Sequence, residues 1–283
     1  MMVLITELSP LQTYLKQQKK DGKTLGLVPT MGALHAGHIS LIERSRHDND
    51  RTICSIFVNP TQFNNPGDLQ KYPRTLEADQ LLLEKAGCDA VFAPANDVMY
   101  HQPPRLRLDF GRLEQVMEGQ FRPGHFNGVG LVVSKLFHMI KPDQAYFGQK
   151  DLQQFLIIRQ LVNDLSFDLQ LMRCPIVREP DGLAMSSRNR RLDPEQRQKA
   201  PHIYRALTSA KEMLLAGQPV SAAKMAVQID FRTQPGVRLE YFEVVDEETL
   251  QSVENIREHP QVALCIAAYL GDVRLIDNLL LFS

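Results

Sequence analysis

His35 and His38 stand three residues apart in the run Pro29-Thr30-Met31-Gly32-Ala33-Leu34-His35-Ala36-Gly37-His38. An apolar run at residues 25–28 precedes it with the length of a buried strand. Ile39, Leu41, Ile42 and Ser45 follow at helical spacing. The two imidazoles therefore fall where a strand turns into a helix, three apart on the first turn, and can face one point. Gly32 and Gly37 lack Cβ atoms and let a ligand approach the backbone. The helix start adds unpaired N–H groups and the positive end of a dipole, which suit a phosphate. Imidazoles aimed at a phosphate can hydrogen-bond the charge that develops on it during transfer. The plainer alternative is a capped turn with one buried histidine.

The other residues able to do chemistry also fall in polar loops. Asn59 and Gln62, in Asn59-Pro60-Thr61-Gln62, offer uncharged groups for a hydroxyl or carboxylate, or else form an Asn-Pro turn with a solvent-facing Gln. Tyr72-Pro73-Arg74-Thr75 leads into Leu76-Glu77-Ala78-Asp79. There Asp79 is either an exposed first-turn acid behind a Thr75 cap or a Mg²⁺ contact, direct or through water. Arg122 and His125 lie in a Gly-rich stretch, 119–128, that reads as a mobile surface loop. Gly148-Gln149-Lys150-Asp151 closes a strand and opens a helix. Lys150 can hold a phosphate as a point charge, Asp151 can cap the helix or bind a ribose hydroxyl, and Gln154 can face the same cleft as Gln62. Met185-Ser186-Ser187-Arg188 supplies hydroxyls and a guanidinium group for phosphate, or is a solvated linker.

The elements that must position these residues alternate. Strand-like runs at 25–28, 53–58, 90–93, 145–147 and 169–172 are interleaved with helical patterns at 39–46, 76–86, 130–139 and 152–164. Strands buried on both faces and joined by helices predict an α/β fold with a doubly wound parallel sheet, in which ligands bind at the carboxyl ends of the strands. After Arg191 the pattern changes. A helix from Pro194 to about Gly217, a second near 221–233, and strands at 239–245, 262–270 and 274–276 predict a smaller α+β domain. It begins between Pro175 and Leu192, and we divide the chain at 1–176 and 177–283.

The chain has 283 residues, 43% hydrophobic and 23% charged, with a formal net charge of −1. That length suits one large domain plus a smaller one, and the charge leaves no broad basic field for nucleic acid. Cys54, Cys88, Cys174 and Cys265 form no CxxC pair, which argues against a zinc site or disulfide framework and fits a reducing, cytoplasmic setting. No basic leader precedes the first apolar residues, and no apolar run reaches membrane-spanning length, so no membrane association is expected.

The motifs PTMGALHAGH, SIFVNPTQF, YPRT, RPGHFNGV, FGQKDLQQ and GLAMSSRN occur in that order. The first resembles the HxGH nucleotidyltransferases, which attack the α-phosphate of ATP. The whole set resembles the pantoate–β-alanine ligase family, from near the N-terminus to the last strand. The resemblance implies a Rossmann-like N-terminal domain, a smaller C-terminal domain acting as a partial lid, and a homodimer. It implies the conversion of ATP, (R)-pantoate and β-alanine into (R)-pantothenate, AMP and pyrophosphate. His35 and His38 would stabilise the reacting phosphates, with His38 as proton donor and Lys150, Ser186, Ser187 and Arg188 completing the catalytic set. Contacts to ATP would come from Met31, Gly32, Ala33, Leu34, His35, Ala36, Gly37 and His38. Gly148, Gln149, Lys150, Asp151, Val177, Met185, Ser186, Ser187 and Arg188 would supply the rest. Gln62 and Gln154 would hold pantoate, with Gln62 also near β-alanine. Pro29, Met31, Asn59, Tyr72, Arg122 and His125 are further substrate-side positions, and Asp79 matches the Mg²⁺ position. Ala36 stands where other members can carry an acidic residue, with no expected consequence.

Three rival readings make different demands. A fragment of an aminoacyl-tRNA synthetase would want a basic tRNA-binding region. A one-step adenylyltransferase would leave Gln62, Gln154 and the C-terminal domain unexplained. A non-enzymatic nucleotide-binding module would bind ATP without releasing pyrophosphate when pantoate is added.

Overall fold

A computed structural model describes residues 2–282. In chain order the elements are β1 (Val3–Ile5), α1 (Leu8–Lys20), β2 (Leu25–Thr30), α2 (Ala36–Asp48), β3 (Arg51–Ile56), α3 (Pro66–Lys71), α4 (Leu76–Lys85), β4 (Ala90–Phe92), α5 (Asn96–Met99) and α6 (Met117–Phe121). There follow α7 (His125–Ile140), β5 (Gln144–Gly148), α8 (Leu152–Asp164), β6 (Gln170–Cys174), α9 (Pro194–Lys199), α10 (His202–Leu215), α11 (Val220–Thr233), β7 (Val237–Asp246), β8 (Val262–Leu270) and β9 (Val273–Leu280). Among the described residues no helix is long and apolar enough to cross a membrane.

Contacts divide the chain into two compact units. The first runs up to Gly148 and includes Gln154–Pro175; the second comprises Gln149–Gln153 and the chain from Ile176 onward. The chain therefore departs from a single division at 176/177, because the short turn carrying Lys150 packs with the later unit.

In the first unit a six-stranded parallel sheet has the order β1-β4-β3-β2-β5-β6. The connections run outward in both directions from β2 and β5, so the topological switch point lies between those two strands, where open α/β sheets bind ligands. Leu27, Val28, Ile53, Cys54, Val91, Ala145 and Tyr146 are fully buried, as strands covered on both faces require. In the second unit β7, β8 and β9 form an antiparallel sheet. Its apolar face joins Ile203, Leu207, Leu214, Val227 and Phe231 of α10 and α11 in one core.

Four expectations need correction. The edge strand β1 and helix α1 have no counterpart among the expected elements; Leu8, Leu11, Tyr14 and Leu15 of α1 do recur at helical spacing, but Leu11 alone is fully buried. Helix α7 begins at His125, five residues before the expected start, so His125 is part of a buried helix and not of a mobile loop. The helix expected from Pro194 to Gly217 is two helices that break at Ala200 and Pro201, because proline has no N–H to donate within a helix. The last strand extends to Leu280, well past the expected 276.

Candidate active site

Between Thr30 at the end of β2 and Ala36 at the start of α2 the chain must turn sharply. Gly32 and Ala33 both adopt left-handed backbone, with φ of 78° and 51°. For alanine this costs on the order of 1 kcal/mol. Asp79, one turn into α4, holds the turn. Its Oδ2 accepts the Ala33 N–H at 2.9 Å, and its Oδ1 accepts the Leu34 N–H at 2.8 Å. The Thr75 hydroxyl donates to Oδ2 at 3.2 Å. Asp79 is only 1% exposed, and a Cβ on Gly32 would stand 3.0 Å from Oδ2. The residue expected as an exposed acid or a Mg²⁺ contact is thus a buried clamp on the histidine loop, with both oxygens already accepting hydrogen bonds. It does not fit as an open metal ligand. Among the described residues no group of three or more His, Cys, Asp or Glu side chains is placed to hold a metal ion.

The clamp delivers His35 to the N-cap of α2. The His35 Nδ1 accepts the Gly37 N–H at 3.2 Å, and the His38 Nδ1 accepts the His35 N–H at 3.4 Å. The ring centroids are 4.0 Å apart, at an interplanar angle of 39°. A ring nitrogen that accepts a hydrogen bond carries no proton, so in each neutral imidazole the proton sits on Nε2. Both rings therefore carry an Nε2–H donor at the start of a helix. The capped-turn and catalytic readings coincide here, since capping fixes the tautomer that donation needs.

A second cluster follows β3. The Asn59 Nδ2 donates to the Gln62 Oε1 and to the Gly128 carbonyl, both at 3.1 Å. The Gln62 Nε2 points at the Met31 sulfur 3.0 Å away. The His125 Nδ1 lies 2.8 Å from the Gln62 carbonyl, so it is the protonated nitrogen of that ring. Asn59, Gln62 and His125 are buried, so Gln62 is not the solvent-facing residue of the plainer reading. A Cβ on Gly128 would meet the Thr61 carbonyl oxygen at 2.3 Å; only glycine lets α7 approach this turn. Tyr72 is buried, edge-on to Phe63 at 5.8 Å. Arg122 reaches the Glu118 carboxylate at 3.5 Å. Gln154 is half-buried on the first turn of α8, and Pro29 and Met31 are half-buried beside the histidine loop. A cavity of about 330 Å³ opens at the carboxyl ends of β2, β3 and β4, lined by Met31, Gly32, Phe57, Arg74, Thr75 and Asp79 among others.

The second unit holds the remaining candidates. Lys150 is on a single 3₁₀ turn, Gln149–Asp151, with its ammonium 3.4 Å from the Asp151 carboxylate. Val177 and Met185 face each other across a narrow hairpin, the Met185 N–H donating to the Val177 carbonyl at 3.0 Å. Ser186 caps the next turn by accepting the Arg188 N–H at 3.2 Å, and Ser187 is buried beside it. Three residues absent from the sequence expectations support these segments. Arg178 forms a two-point ion pair with Asp277, at 2.6 and 3.0 Å, and Asn278 reaches the Lys150 turn. Burial pushes the Asp277 carboxyl above its usual range against the pull of Arg178. The signal was present: Asp277-Asn278 stands between the apolar pairs Leu275-Ile276 and Leu279-Leu280, and a buried polar pair must find partners.

Comparison with known proteins agrees with this architecture. The family model described as pantoate-beta-alanine ligase matches residues 3–280. A pantothenate synthetase of Bacteroides fragilis is 51% identical over 278 residues, covering 98% of each chain. The crystal structure of pantothenate synthetase from Thermus thermophilus superposes with a TM-score of 0.93 at 41% identity, over 100% of both chains. That of a pantoate-beta-alanine ligase from Francisella tularensis, complexed with beta-gamma ATP and beta-alanine, gives 0.82 at 35% identity, over 100% of this chain and 99% of that one. A profile spanning almost the whole length, together with an unbroken fold match, leaves one conclusion: the chain belongs to the pantoate-beta-alanine ligase family.

Proposed function

We propose that this chain condenses (R)-pantoate with β-alanine, using ATP and releasing AMP and pyrophosphate, through a pantoyl-adenylate. The observation that carries the reading is the paired Nε2–H donors of His35 and His38 at the N-terminus of α2, at the carboxyl end of β2. A carboxylate does not react with an amine in water because oxide is too poor a leaving group. In the first step a pantoate carboxylate oxygen attacks the α-phosphorus, the bond to the bridging oxygen breaks, and pyrophosphate departs with that electron pair. Donors fixed in advance lower this barrier because charge shifts onto oxygens they already face. His35 and His38 fill that role, with His38 as proton donor to the phosphate oxygens. Lys150, Ser186, Ser187 and Arg188 hold the triphosphate. In the second step the β-alanine nitrogen attacks the activated carbonyl, AMP leaves with the former carboxylate oxygen, and the nitrogen sheds a proton. That step needs positioning and exclusion of water.

Gln62 and Gln154 are the pantoate contacts in this reading, with Met31 and Asn59 fixing the Gln62 side-chain amide and His125 its main-chain carbonyl. Tyr72 and Arg122 are second-rank substrate contacts. Mg²⁺ enters as a companion of the triphosphate oxygens, not as a ligand of Asp79. The cytoplasmic homodimer and the shielding role of the smaller domain belong to the same proposal.

The test is isotope exchange between ATP and pyrophosphate. Exchange is expected with pantoate present and β-alanine absent. A requirement for β-alanine would remove the adenylate, and absence of exchange with both would favour a nucleotide-binding module.

A further inference from the structure

Two segments of the second unit are assigned to the triphosphate, the Lys150 turn and the Ser186–Arg188 run, and they are far apart in sequence. One strand supports both. Asn278, 1% exposed on β9, donates both of its amide hydrogens to the Lys150 turn: to the Gln149 carbonyl at 2.9 Å and the Lys150 carbonyl at 3.0 Å. Its Oδ1 accepts from the Gln149 Nε2 at 3.3 Å. Three hydrogen bonds from one side chain to one short turn leave that turn little freedom.

The adjacent residue serves the other segment. Asp277 holds Arg178, whose guanidinium also donates to the Asn278 carbonyl at 3.2 Å and the Gly182 carbonyl at 3.0 Å. The same group stacks on Tyr204, 4.0 Å from the ring centroid. Arg178 and Gly182 belong to a hairpin closed by the Glu179 N–H donating to the Leu183 carbonyl and the bridge between Arg178 and Ala184. That hairpin runs directly into Met185 and Ser186. A Cβ on Gly182 would strike Tyr204 at 2.2 Å, so the hairpin tip is pressed onto the stacked pair.

We propose that Asp277 and Asn278 are positioning residues for the adenylation step: Asn278 sets the Lys150 turn, and Asp277 acts through Arg178 on the hairpin leading to Ser186–Arg188. The strand thereby fixes the spacing between two groups that grip one triphosphate. This rests on the function proposed above. Both residues are buried, and neither needs to touch substrate for this role. Each acts on backbone that carries a contacting side chain, and small misplacements of such groups have large kinetic consequences.

The experiment compares Asn278→Ala with the wild-type protein, once wild-type ATP–pyrophosphate exchange has been measured. A wild type without exchange defeats the functional reading itself, and that result is distinct from any outcome for the variant. The expected result is a fall in exchange kcat of about tenfold to a hundredfold, the scale of a misplaced catalytic group. KM for pantoate should stay within about twofold, because the proposed pantoate contacts lie elsewhere. Amide hydrogen exchange should accelerate at residues 149–151 and not along β8. A merely structural residue would lower the melting temperature and leave the kcat of the folded enzyme intact. A kcat within about twofold of wild type, or an equal loss in pantoate KM, overturns the proposal. Should Asn278→Ala not fold, Asn278→Asp keeps the volume but sets a carboxylate against two carbonyls, and the same readouts apply. Failure of both to fold overturns the positioning role in favour of a folding role.

Discussion

Replacing Asp79 by asparagine isolates the clamp from its shape. The carboxylate accepts two backbone N–H groups and one hydroxyl. An asparagine carbonyl can serve one of the two N–H groups, while its NH₂ must face the other. The loss is one charge-assisted hydrogen bond, about 1.5–3 kcal/mol, plus a buried donor left unpaired, about 1–3 kcal/mol. A destabilisation of about 2.5–6 kcal/mol at the loop exceeds what the left-handed Ala33 stores, so the turn relaxes and His35 leaves its N-cap geometry. Shifting the two imidazoles by about 1 Å predicts a fall in kcat on the order of 10²-fold. The assay is the adenylation half-reaction measured across a Mg²⁺ titration, together with a thermal melt. The clamp predicts a lower kcat at every Mg²⁺ concentration and an unchanged half-saturating Mg²⁺. A variant whose full rate returns at high Mg²⁺ would make Asp79 a metal contact after all and refute the reasoning.

His38→Ala should lower kcat by about two to three orders of magnitude, the scale of losing one preorganised donor. Substrate KM values should change far less, and a near-normal kcat would reduce His38 to a helix cap. His202 gives the pH dependence. Burial, helped by Arg205 and opposed by Asp230, holds its pKa below the usual histidine value of 6.5, and its Nε2 lies 3.0 Å from the Asp230 carboxylate without hydrogen-bond alignment. The unfolded chain therefore takes up the proton first as pH falls. The stability this neutral side chain contributes is complete above pH 6.5 and declines below it, levelling off under the lowered folded value. His202→Phe should flatten the fall in melting temperature as the pH drops below 6.5, and an unchanged slope would exclude His202 as its source.

The order of strands and helices was legible because fully buried strands read as short apolar runs and the helices between them keep their period. The histidine pair was legible for a related reason: a strand-to-helix junction has a local signature. What stayed hidden depends on distant partners. Gly124, Gly128 and Gly130 made the start of α7 look like a loop, since glycine is a poor helix former. Gly128 and Gly130 are glycine because Thr61 on one side and Phe110 on the other come too close for a Cβ. Asp79 could not be told from an exposed acid, because its partners, Ala33 and Leu34, are more than forty residues away. Asn278 and Arg178 lie outside every motif and act through backbone carbonyls, which no side-chain pattern records.

The contact at Gly128 bears on any attempt to redesign substrate choice. The turn that carries Gln62 rests against the main chain of α7, with the Thr61 carbonyl where a methyl group would otherwise stand. Main chain cannot be trimmed or enlarged by point mutation. A library of side-chain substitutions around Gln62 would explore polarity and hydrogen bonding but leave that spacing unaltered. If Gln62 holds the acid as proposed, accepting a bulkier hydroxy acid would require moving α7 bodily, through its loops or its packing on α1. Selection for altered acids should accordingly enrich changes at the ends of α7 ahead of changes facing the ligand.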